Sequence, residues 1–441
     1  MVTSQLPPVP SSTGEIKPRA GAAASTLGEI EVALLTGGRD APYAYGMTMA
    51  LSAQGIQLDV IGGDSTDFPA FHRSPGIRYL NLRGDQSRDA GLMEKIVRVL
   101  RYYARLIRYA AGAKPKIFHI LWNNKIELFD RTLLLAYYRL LGKKIVLTAH
   151  NVNAGWRDGN DSLLNRLSLR AQYETADHIF LHTEKMKQEL LREFPVGEGK
   201  VSVIPFGINN SLKVTELTRG AARARLGIAH GEKAMLCFGH IAPYKGLDLL
   251  VDAFLRLAPA HPEYRLMIAG TPRPGCDSYW MEIERTIRAD TNGGKIIQRI
   301  CFIPDEETEL YFKAADVAIL PYRMIFQSGV LFLAYSFGLP VLASDVGSLK
   351  EDIEEGETGF VFTPEDPAAL GEAIERYFAS KLFVELADRK QGIIDFARAH
   401  HSWDVVAQKT MAVYAGLLGI PLQHLPKRDA SNGSLDLRAT S

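Results

Sequence analysis

Two series of short apolar runs, each alternating with amphipathic segments, constrain this chain more than any other feature. A strand that is apolar on both faces and followed by a helix returns most readily to a parallel sheet with helices on both sides. The first series begins at 30–36 (IEVALLT) and continues at 58–61, near 77–80, and at 117–121, 144–150, 178–182 and 201–205. Helices are expected between these runs, the longest at 91–112. Residues 206–232 form a less regular connection, and the pattern restarts at 233–239, 264–270, 298–303, 316–320 and 358–362. Two further helical segments, 381–399 and 403–418, end the fold. The pattern predicts an α/β protein of two doubly wound, Rossmann-like halves. Ligands of such sheets sit at the carboxyl ends of the strands, so two facing halves place a site in the cleft between them.

The 441 residues are too many for one ordinary core. The expected division is a tail at 1–27, a first domain at 28–206, a second at 207–385, C-terminal helices at 386–420 and a tail at 421–441. With 51 basic and 50 acidic residues, the net charge of +1 gives no global attraction to nucleic acid. Cys237, Cys276 and Cys301 are too scattered for a metal site or a disulfide framework and read as reduced thiols of a cytoplasmic protein. No run approaches the length of a membrane-spanning helix, and the first 27 residues lack the apolar core of a signal peptide.

Within the second series, residues 321–347 (PYRMIFQSGVLFLAYSFGLPVLASDVG) read as strand end, loop, helix and strand. Gln327, Ser328 and Gly329 occupy the loop, Val330 follows, and the helix is expected to start at Ser328. Unpaired N–H groups and a partial positive charge at that start make a seat for phosphate; the plainer reading is an ordinary serine-capped helix. Lys245 stands just before another helix, in Gly239–Gly246 (GHIAPYKG), and adds a full charge to an anion-favouring terminus, with His240 as a second donor. Two such devices in one half suggest a diphosphate-bearing ligand. In the first half, Gly37-Gly38 follows the first strand and permits close approach of a substrate, or is simply a turn. His150 ends the run KIVLTAH, where a site residue or a structural histidine is equally at home. A dinucleotide fingerprint, a Walker loop, a zinc motif and a nucleophile elbow are all absent.

Together the motifs FGHIAPYKGLDLLVDAF (238–254), ADVAILPYR (315–323), GLPVLASDVGSLKEDI (338–353), GETGFVF (356–362), VSVIPFGIN (201–209) and TAHN (148–151) resemble those of family 4 retaining glycosyltransferases of the GT-B fold. The likeness runs from about residue 30 to 418. It implies an enzyme that takes a nucleoside diphosphate sugar of the UDP or GDP type and transfers the sugar to a glycan or lipid-linked acceptor, as in polysaccharide synthesis. It implies that Lys245 contacts the diphosphate, that the amides around Ser328, Gly329 and Val330 hold its distal phosphate, and that His150 lies near the transferred sugar. Gly37-Gly38 would adjoin donor phosphate and acceptor. No metal or other cofactor is implied, because Lys245 and helix ends offset the charge of the leaving group.

Three positions depart from the family. His240 stands where an Arg is usual, and Ile325 and Leu333 stand where two Glu are usual; Gln327 replaces part of that hydrogen bonding. The missing glutamates leave a non-catalytic binding or scaffold protein of the same fold as the alternative. The helix at 91–112 carries Arg98, Arg101, Arg105 and Arg108 along one stripe. Leu92, Ile96, Val99, Leu100, Tyr103, Leu106 and Ile107 are assigned to the side that packs on the sheet. The stripe is either a solvated face or a transient electrostatic contact with an anionic membrane, which does not require apolar insertion because the apolar face is needed for the core.

Overall fold

The computed structural model describes residues 30–86, 90–157, 161–207 and 215–421, so both expected tails, apart from Pro421, lie outside the described residues. The first sheet is parallel and contains β1 (Glu31–Leu35), β2 (Gln57–Gly62), β3 (Ile77–Asn81), β4 (Ile117–Ile120), β5 (Lys144–Thr148), β6 (His178–Leu181) and β7 (Val201–Val203). Its order is β3-β2-β1-β4-β5-β6-β7. The second contains β8 (Lys233–Phe238), β9 (Tyr264–Ala269), β10 (Ile296–Arg299), β11 (Val317–Leu320), β12 (Val341–Ser344) and β13 (Gly359–Phe362), also parallel, in the order β10-β9-β8-β11-β12-β13. These are the two doubly wound halves of the GT-B architecture. β10 lies earlier than the apolar run at 298–303 suggests: Ile296 pairs with Leu266, and the chain leaves the sheet after Arg299 toward Pro304.

Strand order reverses beside β1 in the first sheet and beside β8 in the second, which opens a crevice at each reversal. The apolar runs are continuous because both faces are covered. In the first sheet Ala33, Leu35, Phe118 and Ile145 meet one helix layer, and Val32, Leu34, Ile117 and Val146 meet the other.

The two closing helices belong to different halves. Leu386–His401 stays on the second, with Ile393 and Ala397 in its core. The chain then crosses over at Ser402, whose hydroxyl accepts from the Val405 N–H at 3.4 Å. Helix Trp403–Leu418 buries Trp403, Val406, Ala407, Met411 and Tyr414 in the first core, beside helix Ala41–Ala53. Tyr414 Oη lies 2.5 Å from Nδ1 of buried His119 on β4. Gly46 and Gly207 leave room for the indole: a Cβ at either would lie 2.0 or 2.3 Å from Trp403.

Helix Leu92–Gly112 does not pack as its sequence pattern suggests. Tyr102, Tyr103, Leu106 and Ala110 are its buried residues. Leu92 and Leu100 are 76% and 60% exposed, and Ile96 and Ile107 are exposed as well. The helix has three faces rather than two. The packed stripe passes through Tyr102 and Tyr103, and the second apolar stripe, which also carries Met93 and Val97, looks outward between it and the arginines.

Replacing Trp403 with Ala removes a large ring from a notch that two glycines were needed to form. It should destabilise the protein by about 3–5 kcal/mol, measured by urea unfolding. A loss below about 1 kcal/mol would mean that the crossing helix contributes little to the fold.

Candidate active site

The loop after β8 brings Lys245 to the crevice of the second half. Pro243–Lys245 forms a single 3-10 turn, and Gly246, at φ 65°, caps helix Leu247–Leu257. Only glycine fits there, since a Cβ would lie 1.9 Å from the Pro321 carbonyl oxygen at the end of β11. Lys245 is thereby held between the first turn of its helix and the loop after β11. Its Nζ donates to Tyr322 Oη at 3.2 Å, and Tyr322 Oη is 3.2 Å from Ser328 Oγ. Burial works against the ammonium charge, and the neighbouring Tyr322 and Tyr244 outweigh it, so the pKa of Lys245 lies above the ordinary lysine value. Among the described residues, no salt bridge joins a carboxylate to Lys245. An enclosed cation without a counterion is an incomplete electrostatic arrangement that an anionic ligand would complete.

Helix Gly329–Ser336 begins at the same place. Ser328 occupies its N-cap position but does not cap it: the hydroxyl is turned to Tyr322, and no side-chain capping bond forms. The first N–H groups of this helix therefore remain available to a ligand. Gly329 is not required by the backbone, because a Cβ there would meet only the Phe206 ring at 3.8 Å. Gln327 lines the cleft next to Ser328, and its Oε1 is buried without a partner. Burial pushes the Asp352 carboxyl up to about 7, against the lowering effect of Gln327. His240 is exposed and is not part of this wall.

The first half faces it with the turn after β1. Gly37 and Gly38 adopt φ 61° and 64°. They are packed from behind: a Cβ on Gly37 would lie 2.6 Å from the Trp122 carbonyl oxygen, and one on Gly38 2.3 Å from the Arg83 guanidinium, which donates to the Gly37 carbonyl. Asp40 follows at φ 41° and caps helix Ala41–Ala53 by accepting from the Tyr43 N–H at 3.1 Å. It is exposed toward the cleft, and desolvation raises its carboxyl pKa against the lowering effect of the Tyr43 N–H.

His150 lies beneath the cleft wall. Its ring stacks on Trp122 at 3.8 Å between centroids and is covered by the edge of Tyr43 at 4.8 Å. Nδ1 is 3.0 Å from Nε2 of His182, whereas Nε2 is buried without a partner. Burial and the neighbouring His182 hold its pKa well below the usual histidine range, so the imidazole is neutral at physiological pH.

Between the halves is a cavity of about 280 Å³ lined by Asp40, Pro42 and Tyr43 on one side and by Tyr244, Lys245, Gln327, Ser328, Gly329 and Val330 on the other. Phe206, Trp403, Ile325 and Leu333 complete it. Gly37, Gly38, His150 and His240 do not line it. Sequence reasoning missed Asp40, Arg83, Trp122 and Tyr322 as site residues. Asp40, an Asp directly before Ala-Pro, carried a helix-start signal; Arg83 and Trp122 reach the turn from other strands and carried none. Among the described residues, no group of three or more His, Cys, Asp or Glu is arranged to hold a metal.

The family model described as Glycosyltransferase Family 4 matches residues 41–212, and that described as Glycosyl transferases group 1 matches 232–380. A D-inositol 3-phosphate glycosyltransferase of Geodermatophilus obscurus is 24% identical over 388 residues, covering 84% of this chain and 83% of the relative. That of Mycolicibacterium smegmatis is 24% identical over 389 residues, covering 85% of each. Among solved structures, sucrose-phosphate synthase from Thermosynechococcus elongatus superposes with a TM-score of 0.70 at 20% identity, over 88% of this chain and 99% of that one. Anabaena Alr3699/HepE, solved with UDP and glucose, gives 0.69 at 16% identity, over 88% and 100%.

Lys245→Ala should weaken binding of a nucleoside diphosphate by about 1.5–3 kcal/mol, the range of a charge-assisted contact, and barely change binding of the nucleoside. Calorimetry with both ligands decides it: equal losses would remove the anion role from Lys245.

Proposed function

The chain belongs to the family 4 glycosyltransferases of group 1, and from that premise we propose that it moves a glycosyl group from a UDP- or GDP-type sugar to a glycan or lipid-linked acceptor, retaining the anomeric configuration. The observation that carries this reading is the enclosed Lys245 ammonium beside the free N–H groups of helix Gly329–Ser336. As the bond to the sugar breaks, negative charge gathers on the leaving diphosphate. A fixed cation and a helix terminus stabilise that charge more in the transition state than in the ground state. These groups do what a divalent metal does in other transferases, so the proposed reaction calls for no metal.

In this reading Gln327 hydrogen-bonds the donor, while Ile325 and Leu333 meet it through van der Waals contact alone. His150 completes its hydrogen bonding only in the loaded site: a buried nitrogen without a partner is costly, and a sugar hydroxyl reaching Nε2 would relieve that cost. Arg83, behind Gly37-Gly38, gives the acceptor side a basic group, which suits a phosphorylated acceptor of the kind named for the relatives. Among the described residues, no helix is long and apolar enough to cross a membrane. The arginine stripe of Leu92–Gly112 suits peripheral contact with the anionic inner face of one.

Hydrolysis of UDP- and GDP-sugars without acceptor, with release of each nucleotide measured separately, tests the reading. One nucleotide class should be released, and a folded protein that turns over neither would overturn it. Gly329→Val should abolish this turnover with an unchanged circular dichroism spectrum, because the added side chain fills the anion seat and not the fold. His150→Ala should lower turnover by more than about tenfold with little change in donor affinity; a rise in the Michaelis constant alone would make His150 a binding or structural residue.

A further inference from the structure

One helix layer of the first domain exposes apolar side chains that no part of the described chain covers. Helix Leu92–Gly112, the helical segment from Glu127 to Leu140 and helix Leu163–Thr175 lie side by side on the same face of the first sheet. Tyr137 Oη donates to the Ile107 carbonyl at 3.1 Å, and Arg131 donates to Asn165 Oδ1 at 2.8 Å, which ties the three together. Their inner sides supply Tyr103, Leu106, Leu135, Tyr138, Leu169 and Tyr173 to the core. Their outer sides expose Leu92, Met93 and Leu100 on the first, Leu128 and Leu133 on the second, and Leu163, Leu164 and Leu167 on the third. Among the exposed large apolar residues described, only Met281, Phe302 and Val384 lie on the second domain. Scattered exposed leucines need no explanation, but a clustered layer of them does.

The charge beside this layer selects the occupant. Helix Leu92–Gly112 carries Lys95, Arg98, Arg101, Arg105 and Arg108 against Glu94 alone, a net charge of +4. Glu94 is already paired with Arg98, and the exposed acidic groups of the neighbouring helices are paired as well, Glu127 with Arg131 and Glu174 with Arg170. A second copy of the chain would bring two such helices together, like charge on like. A bilayer with anionic headgroups meets both stripes at once: the outward apolar side chains enter the acyl boundary, and the arginines beside them stay at the level of the headgroups.

One residue links the layer to the acceptor-side turn. A cavity of about 630 Å³ lies at the edge of the layer, lined by Arg83, Lys95, Arg98, Lys125, Val99 and Leu100. Arg83 continues from it to the Gly37 carbonyl at the acceptor-side turn.

We propose that the outer face of this three-helix layer is a bilayer-docking surface that inserts apolar side chains into an anionic leaflet and so brings a lipid-borne, anionic acceptor to the cleft through the Arg83 cavity. This deepens the proposed function in its lipid-linked form. The docking itself does not depend on catalysis, so the two can fail separately.

The test is sedimentation of the full chain with vesicles of phosphatidylcholine, with and without phosphatidylglycerol, at low and high salt, alongside donor hydrolysis. The wild type should bind the anionic vesicles only, and part of that binding should survive high salt because insertion is not screened. Met93→Ser with Leu133→Ser and Leu164→Ser should weaken binding more than about tenfold and remove the salt-resistant part. Arg101→Ser with Arg105→Ser and Arg108→Ser should remove the preference for anionic lipid. Both triple variants should keep wild-type donor hydrolysis and circular dichroism. The proposal is overturned if the wild type ignores anionic vesicles at low salt, or if the apolar variant binds as the wild type does. It is also overturned if light scattering finds a dimer that the apolar variant disperses, which would assign the face to self-association.

Discussion

The arrangement of this protein depends on one packing event, the seating of Trp403 against Gly46 and Gly207. Each parallel sheet can bury its own faces, but nothing in a doubly wound sheet requires it to face a second one. The crossing at Ser402 sends the last helix back to the first half, where Trp403, Met411 and Tyr414 join a core built from strands some 300 residues earlier in the chain. The same indole lines the cleft. Closure of the fold and shape of the site are therefore one structural fact, and the reversals of strand order beside β1 and β8 are set toward each other by it.

In the cleft and behind its wall, polar atoms are left unfinished on both sides. Lys245 has hydroxyls for company but no carboxylate paired with it among the described residues, the N–H groups at Gly329 are uncapped because Ser328 turns to Tyr322, and the Gln327 oxygen and the His150 Nε2 are buried without partners. A stable core rarely leaves so many polar groups unsatisfied at one place. Their positive groups lie on the second half, which is what the proposed diphosphate-sugar donor calls for. Asp40 and the packed Gly37-Gly38 turn face them from the first. Ile325 and Leu333 are apolar and line the same wall as the polar Gln327.

The outer surface follows a different logic. The helix layer that packs Tyr103 and Leu106 inward turns Met93, Leu100, Leu133 and Leu164 outward, beside a basic stripe. A helix with one apolar face and one polar face needs only its own sheet, whereas a helix with a second apolar face needs a second environment. Leu92–Gly112 is of the second kind, and its apolar residues do not announce which of two stripes meets the sheet.

The sequence by itself determined the two parallel sheets, because runs such as IEVALLT and KAMLCFG have no polar alternation and must be covered on both faces. It also determined where Lys245 and Gly329 fall, because glycines and prolines fix the ends of strands and helices locally. It did not determine that the last two helices part company, that Ser328 bonds Tyr322 instead of capping, that His150 sinks beneath Tyr43 and Trp122, or that His240 stays outside the wall. Nor did it separate the buried from the exposed apolar stripe of Leu92–Gly112. Each of these depends on partners brought from distant parts of the chain, as Arg83 and Trp122 are brought to Gly38 and Gly37. Periodicity records which side of a segment is apolar; only tertiary packing decides what that side touches.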